Sequence, residues 1–597
     1  MEKWFVYAKR ADFKGWGERL QVAPVIARII RNRDVTSEEE AVRFLNGRLE
    51  DCHSPWLLRD MEVAVDGVLS AVKSGKRIRV IGDYDVDGIC SAYILTKGIL
   101  LLGGSADTAI PHRVHDGYGL NDHLIEEAKQ DGVELIITCD NGIAAASQVA
   151  YAKSLGMEVI VTDHHEVPFE ATNGIKTELL PAALAVVDPK REEDEYPFPG
   201  ICGAALAYKL MQAVAERLQK NQEAAASKKL TAFFAALDEF LECAAFATVC
   251  DVMELKDENR ILVKEGIQRM RHTVNRGIHA LMDVCGIEGG KLSAYHLGFV
   301  LGPCLNATGR LDTATRALEL LNAKDSVTAM SLARDLKDLN DSRKNLTIQG
   351  LNLAEETICS QGLQADKVLV VYLPTVHESL AGIIAGRIRE QYGRPAFLLT
   401  KGEDGVKGSG RSVEKYDMYA ALAEVGDLLT KFGGHKMAAG LSLPEENVME
   451  LRRRLNENCH LTEDDFLPVL HIDAEMPMDY ADLALARQLE ALEPFGVGNP
   501  KPTFVQRDVT FLSGARMGKE GKYGKFQVCL PTGVRLSVIY FGELDAFLKF
   551  IDKQYGTGSA DKLLMGRGAF LVKVAYQINL RTYQGKEELQ IMMKSYQ

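Results

Sequence analysis

Residues 77–88, RIRVIGDYDVDG, decide how the first half of the chain is interpreted. The segment begins with apolar and β-branched residues and ends with Asp83, Asp85 and Asp87 at alternate positions, followed by glycine. An EF-hand calcium loop starting at Asp83 would need a glutamate at its twelfth position, which is Ile94, and it would follow a helix. The segment therefore predicts a buried strand that leads into a different kind of cation site.

The same succession of strand, turn and helix repeats between about residues 77 and 190. Asp140 follows the apolar run VELIITC, and Asp163, His164 and His165 follow EVIVT. Short apolar strands that alternate with helices predict an α/β fold with a parallel sheet. Parallel strands end at one edge of the sheet, where α/β folds bind ligands, so these side chains are expected in one crevice.

The clustered carboxylates indicate a metal centre. One aspartate after a strand is commonly a helix N-cap, but three such positions together would repel one another unless a divalent cation relieved the repulsion. Oxygen ligands with one or two imidazoles and no set of thiolates favour Mn²⁺ or Mg²⁺ over zinc. Asp251, at the end of the helical stretch ECAAFATVC, is either a further ligand, a helix cap or a member of a salt bridge.

The bulk composition is typical of a soluble globular protein of several domains. The 597 residues are 46% hydrophobic and 26% charged. Early charges such as Glu2 and Lys3 argue against a signal peptide, and no uncharged apolar run of about 18 residues predicts a membrane span. The 11 cysteines include no Cys-x-x-Cys pair, which favours reduced thiols and a cytoplasmic location.

The net charge of −13 is unevenly distributed along the chain. Residues 501–597 carry 15 Lys and Arg against 8 Asp and Glu, so the acidic excess lies in the first 500 residues. Within this tail, RMGKEGKYGKF (516–526) combines four basic residues with two aromatic ones. Such a segment suits either single-stranded nucleic acid, held by charge and base stacking, or an exposed hairpin made soluble by lysines.

The remaining segments suggest a second α/β domain and a β-rich end. Leucines recur at helical spacing between about 325 and 358, which predicts a long amphipathic helix, and the strand KVLVVYLP then opens a further α/β unit. We expect the following organisation: an N-terminal extension packed on the first α/β domain (1–50), that domain (51–320), a long connecting helix (321–360), a smaller α/β domain (361–460), and a linker with a β-barrel (461–597).

Four motifs together resemble the DHH phosphoesterase superfamily: DYDVDG (83–88), CDNG (139–142), DHH (163–165) and ATVCDVMEL (247–255). LNATGRLDTA (305–314), VHESLAGIIAGRI (376–388), GSGRSV (408–413) and GGHKMAAG (433–440) are similar to the DHHA1 domain of that superfamily. EPFGVGNPKPTF (493–504), which leads into a basic domain that looks like an OB-fold, resembles its single-strand-specific 5′→3′ exonuclease branch.

The resemblance implies the roles of individual residues. Its metal ligands are Asp83, Asp85, Asp140, His164 and Asp251. Its catalytic residues are Asp163, His165 near the scissile phosphate, and Asp87, which is either a ligand or a neighbour of the ligands. Its substrate-binding residues are Arg113, Asn306, Arg310, His377, Ser409, Arg411 and His435. The motif at 376–379 departs from the commoner Trp-His-x-Gly version, which leaves the role of His377 open.

Two of these motifs also have a physical interpretation of their own. GVKGSGRS (405–412) is expected to form a glycine-rich loop whose backbone N–H groups and guanidinium suit an oxyanion, although glycine loops are most often plain turns. Glycines before His435 would let the backbone approach a ligand closely.

The implied activity is Mn²⁺- or Mg²⁺-dependent hydrolysis of single-stranded DNA to 5′-mononucleotides, in DNA repair and recombination. The implied partners are single-stranded DNA, a single-strand-binding protein and a helicase, with no membrane. Alternatives are a phosphodiesterase for short oligonucleotides or cyclic dinucleotides, a pyrophosphatase, and a non-catalytic replication scaffold. The basic C-terminal domain argues against the first two, and the full set of aspartates and histidines argues against the third.

Overall fold

The computed structural model describes residues 2–112, 119–172, 175–220, 228–402, 405–583 and 585–597. The chain forms two compact units. The first unit comprises His53–Met253 and Glu265–Pro468, and the second comprises Glu2–Cys52, Glu254–Lys264 and Val469–Gln597. No helix in the described part of the chain is both long and apolar enough to cross a membrane.

Helices and strands have the following bounds. The helices are α1 Phe13–Leu20, α2 Pro24–Asn32, α3 Glu38–Asn46, α4 Met61–Ser74, α5 Val86–Leu101, α6 Asp122–Gln130, α7 Ala146–Ser154, α8 Gly203–Lys220, α9 Lys228–Cys250, α10 Asp257–Met270, α11 Arg276–Val284, α12 Ala294–His296, α13 Gly302–Leu311, α14 Thr315–Leu321, α15 Ser326–Ser360, α16 Ala381–Tyr392, α17 Met418–Ala423, α18 Val448–Glu457, α19 Leu483–Glu490, α20 Leu544–Tyr555 and α21 Ser559–Leu564. The strands are β1 Lys3–Val6, β2 Arg77–Ile81, β3 Ser105–Ala109, β4 Leu135–Cys139, β5 Glu158–Thr162, β6 Phe169–Thr172, β7 Ile175–Glu178, β8 Ala185–Val187, β9 Leu369–Tyr372, β10 Ala396–Gly402, β11 Gly405–Arg411, β12 Lys431–His435, β13 Ala438–Leu443, β14 Val469–Ile472, β15 Ala474–Glu475, β16 Phe504–Met517, β17 Tyr523–Cys529, β18 Arg535–Tyr540, β19 Phe570–Tyr583 and β20 Lys586–Tyr596.

A parallel sheet of five strands forms the centre of the first unit, as the sequence predicted. Its strand order is β3-β2-β4-β5-β8, and every neighbouring pair is parallel. The strands are apolar because helices cover both faces of such a sheet. Helix α5 begins directly after β2 and is buried over most of its length between α8 and α9, which fixes its N-terminus at the sheet edge.

The second sheet of the first unit belongs to the predicted smaller α/β domain. Its strand order is β12-β13-β11-β10-β9, in which only β9 and β10 are parallel. Helix α15 joins the two α/β domains, and its 35 residues span about 52 Å. The buried Asn340 on α15 donates to the Cys304 thiol on α13 at 3.4 Å, so the connecting helix is anchored to the first domain.

The second unit contains the predicted barrel. Strands β16-β17-β18-β20-β19 lie side by side, and a further pairing between β16 and β19 closes the ring. A buried aromatic cluster fills it, in which Phe511, Phe526 and Phe547 contact one another at 5.1–5.3 Å between ring centroids. This closure removes the exposed strand edges that an open sheet would leave.

The N-terminal segment belongs to the second unit. We expected residues 1–50 to pack on the first α/β domain. Glu2–Cys52 lies in the unit that holds the barrel, together with Glu254–Lys264 from the predicted range of that domain. Arg260 and Lys264 donate to the carbonyls of Phe44 and Leu45 at 2.7 and 2.9 Å. Strand β1 pairs in parallel with β14, and the guanidinium of Arg33 binds the carboxylate of Asp473 at 2.7 Å with both side chains almost fully buried. Arg33 and Asp473 are more than 400 residues apart in the sequence, so no local pattern predicts their contact.

This buried pair provides a test of how the N-terminal segment is held. Asp473→Ala would leave the buried Arg33 without its carboxylate, which typically destabilises a protein by about 3–5 kcal/mol. We expect a lower urea midpoint and a lower Tm. The control is Arg19→Ala, which breaks an exposed ion pair with Glu38 in the same unit and should change both values little. Equal effects of the two substitutions would contradict the stabilising role of the buried pair.

Candidate metal centre

Three loops bring the predicted ligands to one edge of the parallel sheet. Asp140 directly follows β4 and Asp163 directly follows β5. Asp83 lies two residues after the end of β2. Asp140 has a positive φ of 59°, which turns the chain sharply after β4. Gly88, in the first turn of α5, lets the first loop fold closely against the helix, because a Cβ there would overlap the backbone of Asp83. Local backbone geometry therefore brings the carboxylates together.

Three sets of side chains are close enough to hold a cation, with ligand atoms within 4.8 Å of one another in each set. The sets share members, so they describe adjoining positions in one centre. They are Asp83, Asp85 and Asp140; Asp87, His164 and Asp251; and Asp140, His164 and His165. All five predicted ligands take part, together with Asp87 and His165.

His164 is the imidazole at the middle of the centre. Its Nε2 lies 3.0 Å from a carboxylate oxygen of Asp140, 3.4 Å from one of Asp87 and 3.8 Å from one of Asp251. Burial lowers the pKa of His164, which favours the neutral form that binds metals. Its Nδ1 is buried without a hydrogen-bond partner among the described residues. The neutral imidazole nitrogen and the three carboxylates that it faces together form a set of ligands that fits a divalent cation.

The carboxylates themselves are held close together against their mutual repulsion. Burial raises the pKa of Asp85, Asp140 and Asp251, and the charge of neighbouring carboxylates raises each pKa further. The pKa of Asp251 rises to about 8. A nearby cation would stabilise the charged forms of these acids. The pKa shifts and the geometry therefore both indicate a bound cation.

Asp87 also has a role in the fold. Its two carboxylate oxygens accept hydrogen bonds from the backbone N–H groups of Gly203 and Ala204, each at 2.7 Å, at the start of α8. Gly203 fits there because a Cβ would lie 2.8 Å from the Cβ of Asp140. The sequence predicts that residues 203–250 are mostly helical, and α8 begins at Gly203, but no local pattern predicted that Asp87 would accept from its first N–H groups.

Asp163 positions the second histidine. One of its oxygens accepts from His165 Nδ1 at 2.7 Å and from the His164 N–H at 2.8 Å, and the other accepts from the Ile143 N–H at 2.9 Å. Burial alone would lower the pKa of His165, but the hydrogen bond and charge of Asp163, with the charges of Asp251 and Asp87, raise it to about 9. The hydrogen bond to Asp163 therefore favours the protonated form of His165 at the half-exposed rim of the centre.

A further buried acid, Asp188, lies just after β8 and was not predicted. One of its oxygens accepts from the Lys190 N–H at 2.9 Å, and the other has no hydrogen-bond partner among the described residues. Burial, with a contribution from Asp163, raises its pKa to about 8. The signal was available, because Asp188 ends the strand LAVVD in the same way as the predicted aspartates end theirs.

Helix α13 connects the centre to the smaller α/β domain. Asn306 accepts from the Val86 N–H at 3.1 Å at the start of α5, and Gly309 lies against the Tyr84 carbonyl so closely that a Cβ would be 2.6 Å from its oxygen. Arg310 donates to the Ser379 carbonyl at 2.7 Å. Asn306 thus braces the aspartate loop and Arg310 links α13 to the smaller domain, in addition to the substrate role that the resemblance implies.

The other predicted substrate-binding residues lie on or near the second sheet. A cavity of about 400 Å³ there is lined by residues that include Ser409, Lys407, Lys431 and Glu378. Near it, Arg411 donates to the Ser409 hydroxyl at 3.2 Å, and His377 Nδ1 lies 2.7 Å from the hydroxyl of Ser379, which also lines the cavity. His435 is exposed at the end of β12. Arg113 lies outside the described residues.

The glycine-rich segment at 405–412 is a strand and not the expected loop. It forms β11, which pairs on one side with β10 and on the other with β13. Its glycines allow close packing, because a Cβ at Gly408 would overlap the side chain of Leu399 and one at Gly410 would overlap Met418. The backbone N–H groups are therefore largely used by the sheet, and the side chains of this strand line the cavity.

The basic segment at 516–526 forms the hairpin of β16 and β17 in the second unit. Part of its charge is paired, since Arg516 binds Asp545 at 2.6 Å and Lys522 binds Glu520 at 2.6 Å. Lys519 and Lys525 are exposed and form no ion pair with another described residue. Tyr523 and Phe541 contact each other edge to face at 5.1 Å and are both exposed, so the hairpin presents charge beside aromatic surface.

Comparison with known families divides the chain in the predicted order. The DHH family N-terminal domain matches residues 77–237, the DHHA1 domain matches residues 365–461, and the RecJ OB domain matches residues 472–595.

Curated relatives are similar over most of the chain. The single-stranded-DNA-specific exonuclease RecJ of Escherichia coli is 35% identical over 498 residues, which covers 81% of this chain and 83% of the relative. The RecJ of Bacillus subtilis is 33% identical over 519 residues, or 86% of this chain, and the chain spans 62% of the length of that relative.

Solved structures agree with these relatives. The crystal structure of RecJ from Thermus thermophilus in complex with Mn²⁺ has a TM-score of 0.78 at 27% identity, covering 100% of this chain and 79% of that chain. A manganese-bound RecJ exonuclease has a TM-score of 0.56 at 32% identity, covering 68% of this chain and 96% of that chain. Because this chain contains a DHH, a DHHA1 and a RecJ OB domain, and is 35% identical to a RecJ of which it covers 83%, it belongs to the RecJ family.

Proposed function

We propose that the chain is a single-strand-specific 5′→3′ exodeoxyribonuclease that uses two divalent cations, Mn²⁺ or Mg²⁺, and releases 5′-mononucleotides. The observation that carries this proposal is the convergence of buried carboxylates and His164 into adjoining sets of ligands at one sheet edge. Membership of the RecJ family supports it, because the relatives named above are single-stranded-DNA-specific exonucleases and two solved relatives contain manganese.

We assign the two cation positions from the chemistry of the side chains. Asp83, Asp85 and Asp140 offer oxygen ligands on one side, and His164, Asp251 and Asp87 offer one nitrogen and two carboxylates on the other. Such ions, when bound, lower the pKa of a bound water towards about 7 and stabilise negative charge on the departing oxygen. Two adjoining, oxygen-rich sets of ligands suit hydrolysis of a phosphodiester bond with two ions better than a reaction that uses one ion.

The protein's own groups supply charge and orientation around this centre. His165, kept protonated by Asp163, stands at the rim where it can neutralise a non-bridging oxygen of the scissile phosphate. Asp87 and the start of α8 fix the position of His164, and Asn306 fixes the start of α5. Preorganised groups of this kind lower the barrier because they need no rearrangement during the reaction.

We assign the 5′ end of the strand to the cavity of the smaller α/β domain. Ser409, Lys407 and Lys431 line it with hydroxyl and ammonium groups, and Arg411 lies beside Ser409, which suits a terminal phosphate. Arg310 reaches this domain from the helix that braces the metal centre. A strand held in the cavity by its terminal phosphate would present its first phosphodiester bond to the cations.

We assign single-strand binding outside the centre to the hairpin of the barrel. Its exposed lysines and aromatic rings combine charge and stacking, as in OB-folds that bind single strands without sequence preference. We also propose a role in DNA repair and recombination in the cytoplasm, with a single-strand-binding protein and a helicase as partners. Similarity to the RecJ exonucleases supports the repair role.

The proposed metal centre is tested by Asp140→Asn. Asparagine preserves the size of the side chain and tolerates the positive φ, so the fold should be retained while a ligand charge is lost. We expect hydrolysis of a 5′-labelled single strand with Mn²⁺ to fall by more than about 100-fold, beyond what loss of an outer partner of a metal site costs. Asp338→Asn, an exposed position on α15, is the control.

The same assay separates the alternative activities. A duplex, pyrophosphate and a cyclic dinucleotide should remain intact with the wild-type protein, and the label should leave the single strand as mononucleotide. Full activity of Asp140→Asn would overturn the assignment of the centre, and hydrolysis of the cyclic dinucleotide alone would overturn the assignment of the substrate.

The raised pKa values predict a pH-dependent stability without metal. A carboxyl whose pKa is higher in the folded than in the unfolded protein binds an extra proton on folding, so stability falls as pH rises from about 4 to about 8. We expect the Tm in EDTA to fall across this range, and Mn²⁺ to restore it most strongly near pH 8. Asp251→Asn should reduce the fall in EDTA; an unchanged slope would contradict the shifted pKa.

The role of the hairpin is tested by Lys519→Glu with Lys525→Glu. Loss of two phosphate contacts should weaken single-strand binding and reduce the slope of log affinity against log salt by about 1.4, or 0.7 per contact. The matched control is Lys549→Glu with Lys553→Glu, which makes the same charge change on the exposed face of α20. Identical salt slopes for the two double variants would exclude the hairpin as a binding surface.

A further inference from the structure

Two aromatic side chains of the first unit are exposed next to each other. Tyr295 is 63% exposed and Phe299 is 72% exposed. Their rings are stacked on one another, with centroids 5.2 Å apart and an angle of 28° between their planes. Large apolar side chains are seldom exposed in pairs without a reason, and two nearly parallel rings offer a continuous flat surface.

The segment that carries these rings is rigidly held. It consists of α12, a π-helical turn at Leu297–Leu301, and α13, and π-helical turns of this kind are often found at functional sites. Leu297 and Leu301 are buried on its inner side, so the exposure of the rings does not come from disorder of the segment. The rings are therefore displayed by a packed element.

This segment lies against the metal centre. Gly298 packs on Val249, and the Cys250 thiol donates to the Leu297 carbonyl at 3.5 Å, so the π-helical turn contacts the two residues directly before Asp251. At its other end the same segment reaches Val86 through Asn306 and the smaller α/β domain through Arg310. The centre lies along the segment, with the rings at one end and the domain of the cavity at the other.

We propose that Tyr295 and Phe299 form a stacking platform for bases of the single strand on the 3′ side of the cleaved bond. The inference rests on the proposed function, in which the 5′ end occupies the cavity side of the centre. A strand that passes the cations away from the cavity must leave along the end of the segment that displays the rings. Every base has an apolar face, so a stacking platform holds the strand without selecting sequence.

The contacts of the segment indicate which bases are held. Leu297 and Gly298 contact the two residues directly before Asp251, and Tyr295 and Phe299 flank them in the sequence, so the platform lies beside the centre. It is reached by the bases that follow the cleaved bond. The platform therefore contacts bases that are still attached when the terminal nucleotide is released, and it retains the strand between steps.

The first experiment compares side-chain variants on a single strand with Mn²⁺. Tyr295→Ala with Phe299→Ala should raise KM by about tenfold or more, within the range measured for loss of base stacking, with little change in kcat at saturation. Tyr295→Phe with Phe299→Trp should keep the wild-type KM, whereas Tyr295→Leu with Phe299→Leu should not restore it. Leu100→Ala, which removes an exposed apolar side chain at the far end of α5, is the control.

The second experiment removes the bases instead of the rings. Oligonucleotides with a single abasic site at successive positions from the 5′ end should show a raised KM with the wild-type protein at a short run of positions on the 3′ side of the cleaved bond, and not beyond it. The alanine variant should not respond to abasic sites there, because the same contact is already lost. This dependence on position distinguishes a stacking site from a general loss of stability.

The outcomes decide between the inference and its alternatives. Equal KM values for the wild-type protein and the alanine variant, or full rescue by the leucine pair, would overturn the platform, and the latter would indicate an apolar surface for a protein partner. A uniform response to abasic sites would also overturn it. If the wild-type protein failed to degrade the single strand at all, the proposed function would fail instead.

Discussion

The main constraint on this structure is the mutual repulsion among buried carboxylates at one end of a parallel sheet. Asp85, Asp140 and Asp251 are held close together with raised pKa values, and the imidazole that faces two of them, His164, is neutral. A protein can maintain such a cluster only where its backbone is strongly constrained, and divalent cations remove the cost. The buried strands, the positive φ of Asp140 and the close contact at Gly88 supply that constraint.

The groups around the cluster fix its geometry through hydrogen bonds to backbone. Asp163 holds both histidines, and the start of α8 holds Asp87. Asn306 holds the start of α5 from a helix that is itself anchored to α15. Each support comes from a different part of the first α/β domain, so the centre depends on the packing of that whole domain. Arg310, on the same helix as Asn306, donates to Ser379 and links the centre to the domain of the cavity that we assign to the 5′ end.

The segment from α12 to α13 extends this link along the path that we propose for the strand. One continuous element contacts the residues before Asp251, braces the aspartate loop and reaches Ser379 in the smaller domain. An enzyme that shortens a polymer stepwise has to hold the remaining strand while one nucleotide leaves. Groups on one rigid element keep their spacing during that step, whereas groups on independent loops would not.

The sequence by itself determined the parallel sheet, the long connecting helix, the barrel and the aspartates and histidines at the strand ends, because hydrophobic period and strand-end position are local properties. Tertiary structure alone decided the rest. It paired the N-terminal strand with β14 and placed the start of α8 where its N–H groups donate to Asp87. It also placed the glycine-rich segment in the second sheet and exposed Tyr295 on the segment that contacts the residues before Asp251. Each of these depends on contacts between residues far apart in the chain, which no local pattern encodes.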